Sequence, residues 1–504
     1  MTASNSSSAN MLASQPLSVQ SLSVSGNTFP IPDVVVSDAE NEIVFERRQK
    51  RYTGEVTYTE VTDTVLNVMN PPKGGWWALL FTCIAMVGIG AWAWTVQIIN
   101  GIGESGKSHP IMWGFYITTF VFWVGIAHSG TLISAVLYLF RAKFRMPIYR
   151  LAEAMTVFAV LTAGLFPLIH MGRVWFFYWL MPYPNQRALW PNFKSPLVWD
   201  VFAVSTYLTV SSTFFIVGLI PDIAVARDRA KTWVHRWLYT ITSLGWRGSH
   251  AQWKHYSGAY LLFAAFATPL VVSVHSVVSW DFAMSIVPGW HATIFPPYFV
   301  AGAIFSGVAM VMTLAIPLRK VFSLERIIRL EHFDAMSKLI LLTCNVVSYS
   351  YATEFYMAWF SNNTFERYQF WFRPFGFMAW AFWIMFFCNC VFPQLLWIKK
   401  LRTHIGFLFV LSIFINIGMW FERFNIITQS LAADYIPYSW GGYNFSWVDW
   451  GILIGSFGWF GMQMTLFLKF FPIIAICEIK EIMPPPMRGN DEHGKVGTDA
   501  SPAH

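Results

Sequence analysis

The stretch AVLTAGLFPLIHMGRVWFFYWLMPYP, residues 159–184, is apolar almost throughout, yet it contains His170 and Arg173. Its length and composition suit a membrane-crossing helix, which needs about 20 apolar residues. A spacing of three places both polar side chains on one helical face. Ionisable groups are costly in hydrocarbon, so such a pair marks either an edge of the bilayer or a site.

The rest of the chain supports the membrane reading. Of 504 residues, 55% are hydrophobic and only 12% charged, against roughly a quarter charged in soluble proteins. The 26 Trp, 46 Phe and 19 Tyr suit membrane–water interfaces, where amphipathic rings sit at headgroup level. Ten apolar segments follow one another, at about 76–99, 111–140, 151–180, 197–226, 257–280, 294–317, 335–360, 371–398, 404–428 and 448–474. The expected fold is an all-α polytopic membrane protein with about ten transmembrane helices in residues 76–475. Residues 1–75 are rich in Ser, Val and Thr, lack the apolar core of a signal peptide, and are expected to form an extended arm. Residues 476–504 form a C-terminal tail.

The loops separate by charge. Arg141, Lys143, Arg145 and Arg150 follow span 2, and Arg227, Arg229, Lys231, Arg236, Arg247 and Lys254 follow span 4. Arg319, Lys320, Arg326 and Arg329 follow span 6, and Lys399, Lys400 and Arg402 follow span 8. The loops after spans 5 and 9 have no Lys or Arg. Basic loops face the cytoplasm, so both termini are expected there. The net charge of +7 is thereby explained by orientation, and no nucleic-acid partner is expected.

Depth follows from a rise of about 1.5 Å per residue. His170 lies about 28 Å above Leu151 and Arg173 about 33 Å, both near the outer surface. His128 is about 20 Å above Arg141, His275 about 27 Å above Ser257, and Glu354 about 24 Å above Lys338. Asp200 opens span 4 from outside, while Asp222, Asn345 and Ser348 belong to the inner half. The polar groups of spans 2 to 5 therefore gather mostly on the outer side. Arg173 and Asp200 also suit a structural ion pair.

A histidine, a carboxylate and an arginine in the outer leaflet suit quinol chemistry, because a quinol releases two protons with its two electrons. Histidine accepts protons near neutral pH, and a nearby carboxylate holds its tautomer or passes the proton on. Competing chemistries fit less well. A di-haem cytochrome needs two histidine pairs, and only His128, His170 and His275 are well embedded. No His-His for copper, CxxCH, P-loop or dinucleotide fingerprint occurs. No metal site is expected, and the five cysteines, including CNC at 388–390, read as buried thiols.

The motifs GIAHSGTLISAVLYLFRAKFR, FPLIHMGR, YPNQRALWPNFKSPLVWDVFAVSTY, GLIPDIAVARDRA and NIGMWFERFNII resemble the NrfD/PsrC family of quinone-interacting membrane subunits. They are most similar to its ActC branch, from bacterial alternative complex III, over about residues 70–475. That resemblance implies two four-helix bundles (spans 2–5 and 6–9) flanked by one helix at each end. It implies menaquinol as substrate, with no haem or iron–sulfur cluster in this subunit. It implies as partners a periplasmic iron–sulfur subunit, multihaem c-type cytochromes, a second NrfD-like subunit and small membrane subunits, all at a bacterial cytoplasmic membrane. His128 of AHSGTL matches the expected quinol ligand, with Asp200, His170, Arg173, His275 and Asp281 around it. Asp222, Asn345, Ser348, Tyr349, Glu354 and Glu422 form a candidate proton route. The alternatives are a sibling anchor that binds no quinol, a proton translocator driven by its neighbours, and a quinone reductase running the opposite reaction.

Overall fold

The computed structural model describes residues 57–483. The remainder of the arm (1–56) and of the tail (484–504) lies outside the described residues. Among the described residues, nine helices are long and apolar enough to cross a membrane, and none of those residues is in a β-strand. In the numbering above, span 1 is Gly74–Asn100, span 2 Phe115–Leu139, span 3 Tyr149–His170, span 4 Pro196–Asp228 and span 5 His250–Ala283. Span 6 is Phe295–Val321, span 8 Ala379–Trp397, span 9 Ile405–Ala432 and span 10 Trp447–Phe470. The segment read as span 7 is also one helix, Leu330–Phe360, of 31 residues. Its Asn345, Ser348, Ser350, Thr353 and Glu354 make it more polar than the other nine. The chain is a multi-pass membrane protein.

Several boundaries differ from the sequence reading, and three differences have an evident cause. Span 3 stops at His170 rather than near 180, because Gly172 adopts φ +77° and turns the chain. His170 and Arg173 therefore do not share a helical face. Residues Val174–Leu180 form a tight aromatic turn instead. Span 8 begins at Ala379, and Thr364–Phe375 is a separate helix broken off at Gly376. In the arm, Tyr58–Val68 is helical. Val61, Val65 and Val68, at spacings of four and three, bury one face, and this helix packs against Ile476–Ile482 of the tail.

Spans 2 and 6 are the most enclosed, with 83% and 78% of an apolar 18-residue stretch of each buried, and span 1 the least, with 17%. Helices apolar on every side carry no orienting stripe, so small residues decide which backbones approach. A Cβ on Gly90 of span 1 would lie 2.6 Å from the Cα of Gly455 on span 10, which is the close backbone packing that glycine permits between membrane helices. Spans 2 and 6 meet similarly through Gly307 and Ser129.

Three spans contain a wide π-helical turn, at Leu132–Val136, Phe387–Val391 and Asn425–Gln429. Such turns loosen the backbone ladder and re-aim side chains. Two of them directly follow buried ionisable groups, His128 in span 2 and Glu422–Arg423 in span 9. The connections after odd-numbered spans emerge at one end of the molecule and those after even-numbered spans at the other.

Candidate functional site

Spans 2 to 5 enclose a cavity of about 360 Å³ at the odd-loop end. Trp113, Phe120, Leu168 and Val204 are among its apolar lining, and His170, Asp200, Ser205 and Asp281 supply polarity. Asp200 is near the start of span 4 and Asp281 near the end of span 5, so antiparallel neighbours bring the two carboxyls together. Asp200 is buried, and one oxygen of each carboxyl, Oδ1 in both, has no hydrogen-bond partner. Buried oxygens left open in an apolar wall are costly unless a ligand or water completes them. Phe177 and Leu180 of the aromatic turn lie at the cavity mouth.

Beneath this cavity is a closed layer that contains His128. Tyr207 lies about one helical turn below the cavity-lining Val204, and its ring stacks on His128 with centroids 4.7 Å apart and planes within 5°. The Tyr207 hydroxyl donates to the Ala127 carbonyl at 2.9 Å and meets Thr131 Oγ1 at 2.7 Å. His128 Nδ1 is 2.5 Å from the Val124 carbonyl, so Nδ1 carries the proton and Nε2 is an open acceptor. The His275 ring lies 4.7 Å from that of His128, and neither His275 nitrogen has a partner. The structure thus splits the expected set. His170, Asp200 and Asp281 line the cavity, whereas His128 and His275 form a second layer below it.

Arg173 belongs to neither layer. It is exposed, 5.9 Å above the Trp175 ring, and the neighbour of Asp200 is Asp281 rather than Arg173. The cation beside His170 is instead Lys107, from the loop between spans 1 and 2, whose Nζ is 2.9 Å from His170 Nδ1. It also sits 4.4 Å from the Tyr116 ring centre. Tyr116 donates to Gln97 Oε1 at 2.7 Å, and Gln97 Nε2 donates to the Ile169 carbonyl at 2.7 Å, tying spans 1, 2 and 3 together. Nearby, Asp449 Oδ2 accepts from Gly106 N at 3.0 Å and from the Tyr443 hydroxyl at 2.9 Å. A lone lysine in a polar loop gives no sequence signal of such a role. Asp449 does, since Ser446 and Asp449 form a capping box at the start of span 10.

Loss of hydration pulls the Lys107 pKa down from 10.5 to about 7, with the Asp449 charge opposing that shift. Between about pH 7 and 10.5 the folded chain therefore binds fewer protons here than the unfolded one, and stability from this group rises with pH across that window. Lys107→Met is expected to flatten that rise. The thermal midpoint of wild type, measured in detergent from pH 7 to 9, should climb relative to the variant, and parallel curves would reject this account.

A separate polar core lies among spans 6 to 9. Glu422 contacts Arg423 and the Tyr351 hydroxyl, and Asn389 Nδ2 is 3.4 Å from Glu422 Oε2. Arg423 sits 5.2 Å from the Phe299 ring, which is 5.8 Å from that of His275. Glu354 pairs with Arg373 at 3.3 Å. The other members of the candidate proton route are elsewhere. Tyr349 and Asn345 are exposed, and Ser348 has a buried hydroxyl without a hydrogen-bond partner. Asp222 pairs with Arg150 at 3.2 Å and accepts from Ile476 N and Cys477 N at 3.1 Å each. Among the described residues no three His, Cys, Asp or Glu side chains converge on a metal-ion position. The cysteines are free, with Cys388 buried and Cys390 partly so.

A family of known proteins matches most of the chain that builds these sites. The family described as polysulphide reductase, NrfD, matches residues 103–433. A putative dimethyl sulfoxide reductase membrane subunit of Halobacterium salinarum is 27% identical over 48% of this chain and 51% of its own length. A selenate reductase subunit of Mesobacillus selenatarsenatis is 22% identical over 47% of this chain and 55% of its own. An Hdr-like menaquinol oxidoreductase integral membrane subunit of Archaeoglobus fulgidus is 20% identical over 47% and 49%. The chain spans about half the length of these curated relatives. The family match runs from the loop carrying Lys107 through every span that lines the cavity and on to the end of span 9, and on that extent the chain belongs to the NrfD polysulphide reductase family.

Proposed function

We propose that this chain is the quinol-binding and quinol-oxidising membrane subunit of a respiratory complex of the alternative complex III type, in a bacterial cytoplasmic membrane with both termini cytoplasmic. The observation that carries this reading is the apolar cavity at the odd-loop end, whose polar groups are His170 and the facing carboxyls Asp200 and Asp281. Its size and lining suit a quinone ring and the start of an isoprenoid tail. A relative named for menaquinol oxidoreduction supports menaquinol as the substrate. The helix contacts support two four-helix bundles, since spans 2, 3, 4 and 5 close a ring and spans 6, 7, 8 and 9 a second one.

Oxidising a quinol releases two protons and two electrons. Asp200 and Asp281 accept one proton, and their buried open oxygens are placed for it. The second goes to a histidine, His170 at the cavity edge or His128 when the ring passes below Phe120 and Val204. His275 and Arg173 complete the surroundings at greater distance. The electrons leave to an iron–sulfur subunit docked on the odd-loop end, then to multihaem c-type cytochromes. A second NrfD-like subunit and small membrane subunits complete the complex. No haem or cluster is assigned to this chain.

The buried Glu422, Tyr351, Asn389 and Arg423 support a second role, proton movement through spans 6 to 9. Glu354 extends that core, whereas Asp222, Asn345, Ser348 and Tyr349 enter it only if water links them. One experiment tests both roles, with the intact complex in proteoliposomes supplied with menaquinol. His128→Ala should assemble and lose electron delivery by about 100-fold or more, and unchanged delivery would remove His128 from the reaction and leave His170 as the histidine acceptor. Glu422→Gln should keep electron delivery and lose the accompanying proton movement, and retained proton movement would remove Glu422 from the route.

A further inference from the structure

The even-loop end carries a second cavity, of about 700 Å³, where span 4 and span 10 both end. Asp63, Asn67 and Asn70 from the arm line one side, and Arg229, Lys231, Thr232, His235, Tyr239 and Lys469 the other. Three basic side chains, Arg229, Lys231 and Lys469, thus face one carboxylate, Asp63, which is 3.3 Å from Arg229 Nη1. Lys231 and Lys469 keep no carboxylate partner among the described ion pairs, and Lys469 rests 5.8 Å from the Trp76 ring. The cavity is therefore net positive.

Its position fixes the class of anion. Span 10 has 24 residues, about 36 Å of helix, slightly more than a hydrocarbon core of about 30 Å. Lys469, in its last turn, accordingly lies at headgroup level. The helix that leaves the cavity, Trp233–Thr242, gives an independent indication. Trp233, Val234, Trp237 and Ile241 are all exposed, and at 100° per residue they fall within about 100° of arc. Leu244, just past the helix end, is exposed as well. Tyr239, on another face, is buried. A short helix with one exposed tryptophan-rich apolar face and cations at its start has the character of a segment lying in the membrane interface.

We infer that Trp233–Thr242 lies in the bilayer surface at the even-loop end, and that the adjoining cavity binds the phosphate of an anionic phospholipid through Lys231, Lys469 and Arg229. The acyl chains then run beside the exposed Trp233 and Trp237 face. Charge complementarity selects an anionic lipid over a zwitterionic one. The site is remote from the carboxyl pair of spans 4 and 5 and does not depend on its function.

The test is a lipid titration of the detergent-purified complex by native mass spectrometry, with phosphatidylglycerol, phosphatidylcholine and inorganic phosphate as separate probes. Lys231→Gln/Lys469→Gln leaves the Arg229–Asp63 pair intact and removes two cations. Wild type should bind phosphatidylglycerol more tightly than phosphatidylcholine, and the double variant should bind it about 30-fold more weakly at this site. Equal binding of the two lipids, or undiminished binding by the variant, would overturn the inference. Inorganic phosphate competing with the lipid at equal concentration would make this a soluble-anion site instead. Brominated phosphatidylglycerol should quench wild-type tryptophan emission more than that of Trp233→Phe/Trp237→Phe, and equal quenching would remove the interfacial helix.

Discussion

Asp200→Asn is expected to abolish most quinol-driven electron delivery, by roughly 100- to 10,000-fold, while the complex still assembles. Asparagine matches aspartate in size and keeps one carbonyl oxygen, but it cannot accept a proton from a quinol hydroxyl. Assembly should survive because no cation pairs with Asp200 among the described ion pairs, so the change leaves no buried positive charge behind. Asp281→Asn should have a similar effect. The double variant should be scarcely worse than either single one, because groups that act as a unit lose their function together. Steady-state oxidation of a menaquinol analogue by purified complexes measures this directly. Activity within about threefold of wild type in both single variants, where a tenfold change corresponds to about 1.4 kcal/mol, would remove the carboxyl pair from the reaction.

Arg150→Leu is expected to be the most damaging change to the fold itself. The Arg150 guanidinium is almost completely buried, 3.0 Å from Glu153 Oε2 and 3.2 Å from Asp222 Oδ2, and it donates to the Gly218 carbonyl at 2.6 Å. Tyr260 donates to Glu153 at 3.2 Å, so spans 3, 4 and 5 meet at this one cluster. Removing the cation leaves two buried carboxylates facing each other. Breaking a buried pair costs about 3–5 kcal/mol, a large part of a total stability of about 5–15 kcal/mol. Asp222→Asn should cost less, since an amide oxygen can still accept from Ile476 N and Cys477 N. Expression yield and thermal midpoint in detergent compare the two, and an Arg150→Leu midpoint within about 1 °C of wild type, the shift that about 1 kcal/mol produces in a chain of this length, would show the cluster to be dispensable.

Arg150 also shows how far sequence reaches. Counted as a loop charge, it helps to orient the chain, and that count holds wherever the residue finally points. Its burial against Glu153 and Asp222 requires spans 3 and 4 to be neighbours, which loop charge does not encode. Arg145 is similar, buried and paired with Glu478 of the tail at 2.9 Å.

The membrane class, the succession of apolar helices and the family motifs follow from composition and chain order alone, because the cost of burying backbone in lipid admits little besides helices. Depth along each helix also follows, since the rise per residue is fixed, and it placed His170 and Asp200 at one end of the molecule, while Asp281 came only from the family resemblance. Rotation about each helix axis does not follow. Helices apolar on every side carry no stripe to orient them, so only packing through residues such as Gly90 and Gly455 decides which faces meet. Depth set His128 and His275 below the cavity, and rotation brought the Tyr207 ring onto His128. It left Tyr349 exposed and put Lys107, rather than Arg173, beside His170. Local features overrode the apolar pattern at two places, the positive φ of Gly172, which ended span 3 at His170, and the break at Gly376, which delayed span 8 to Ala379.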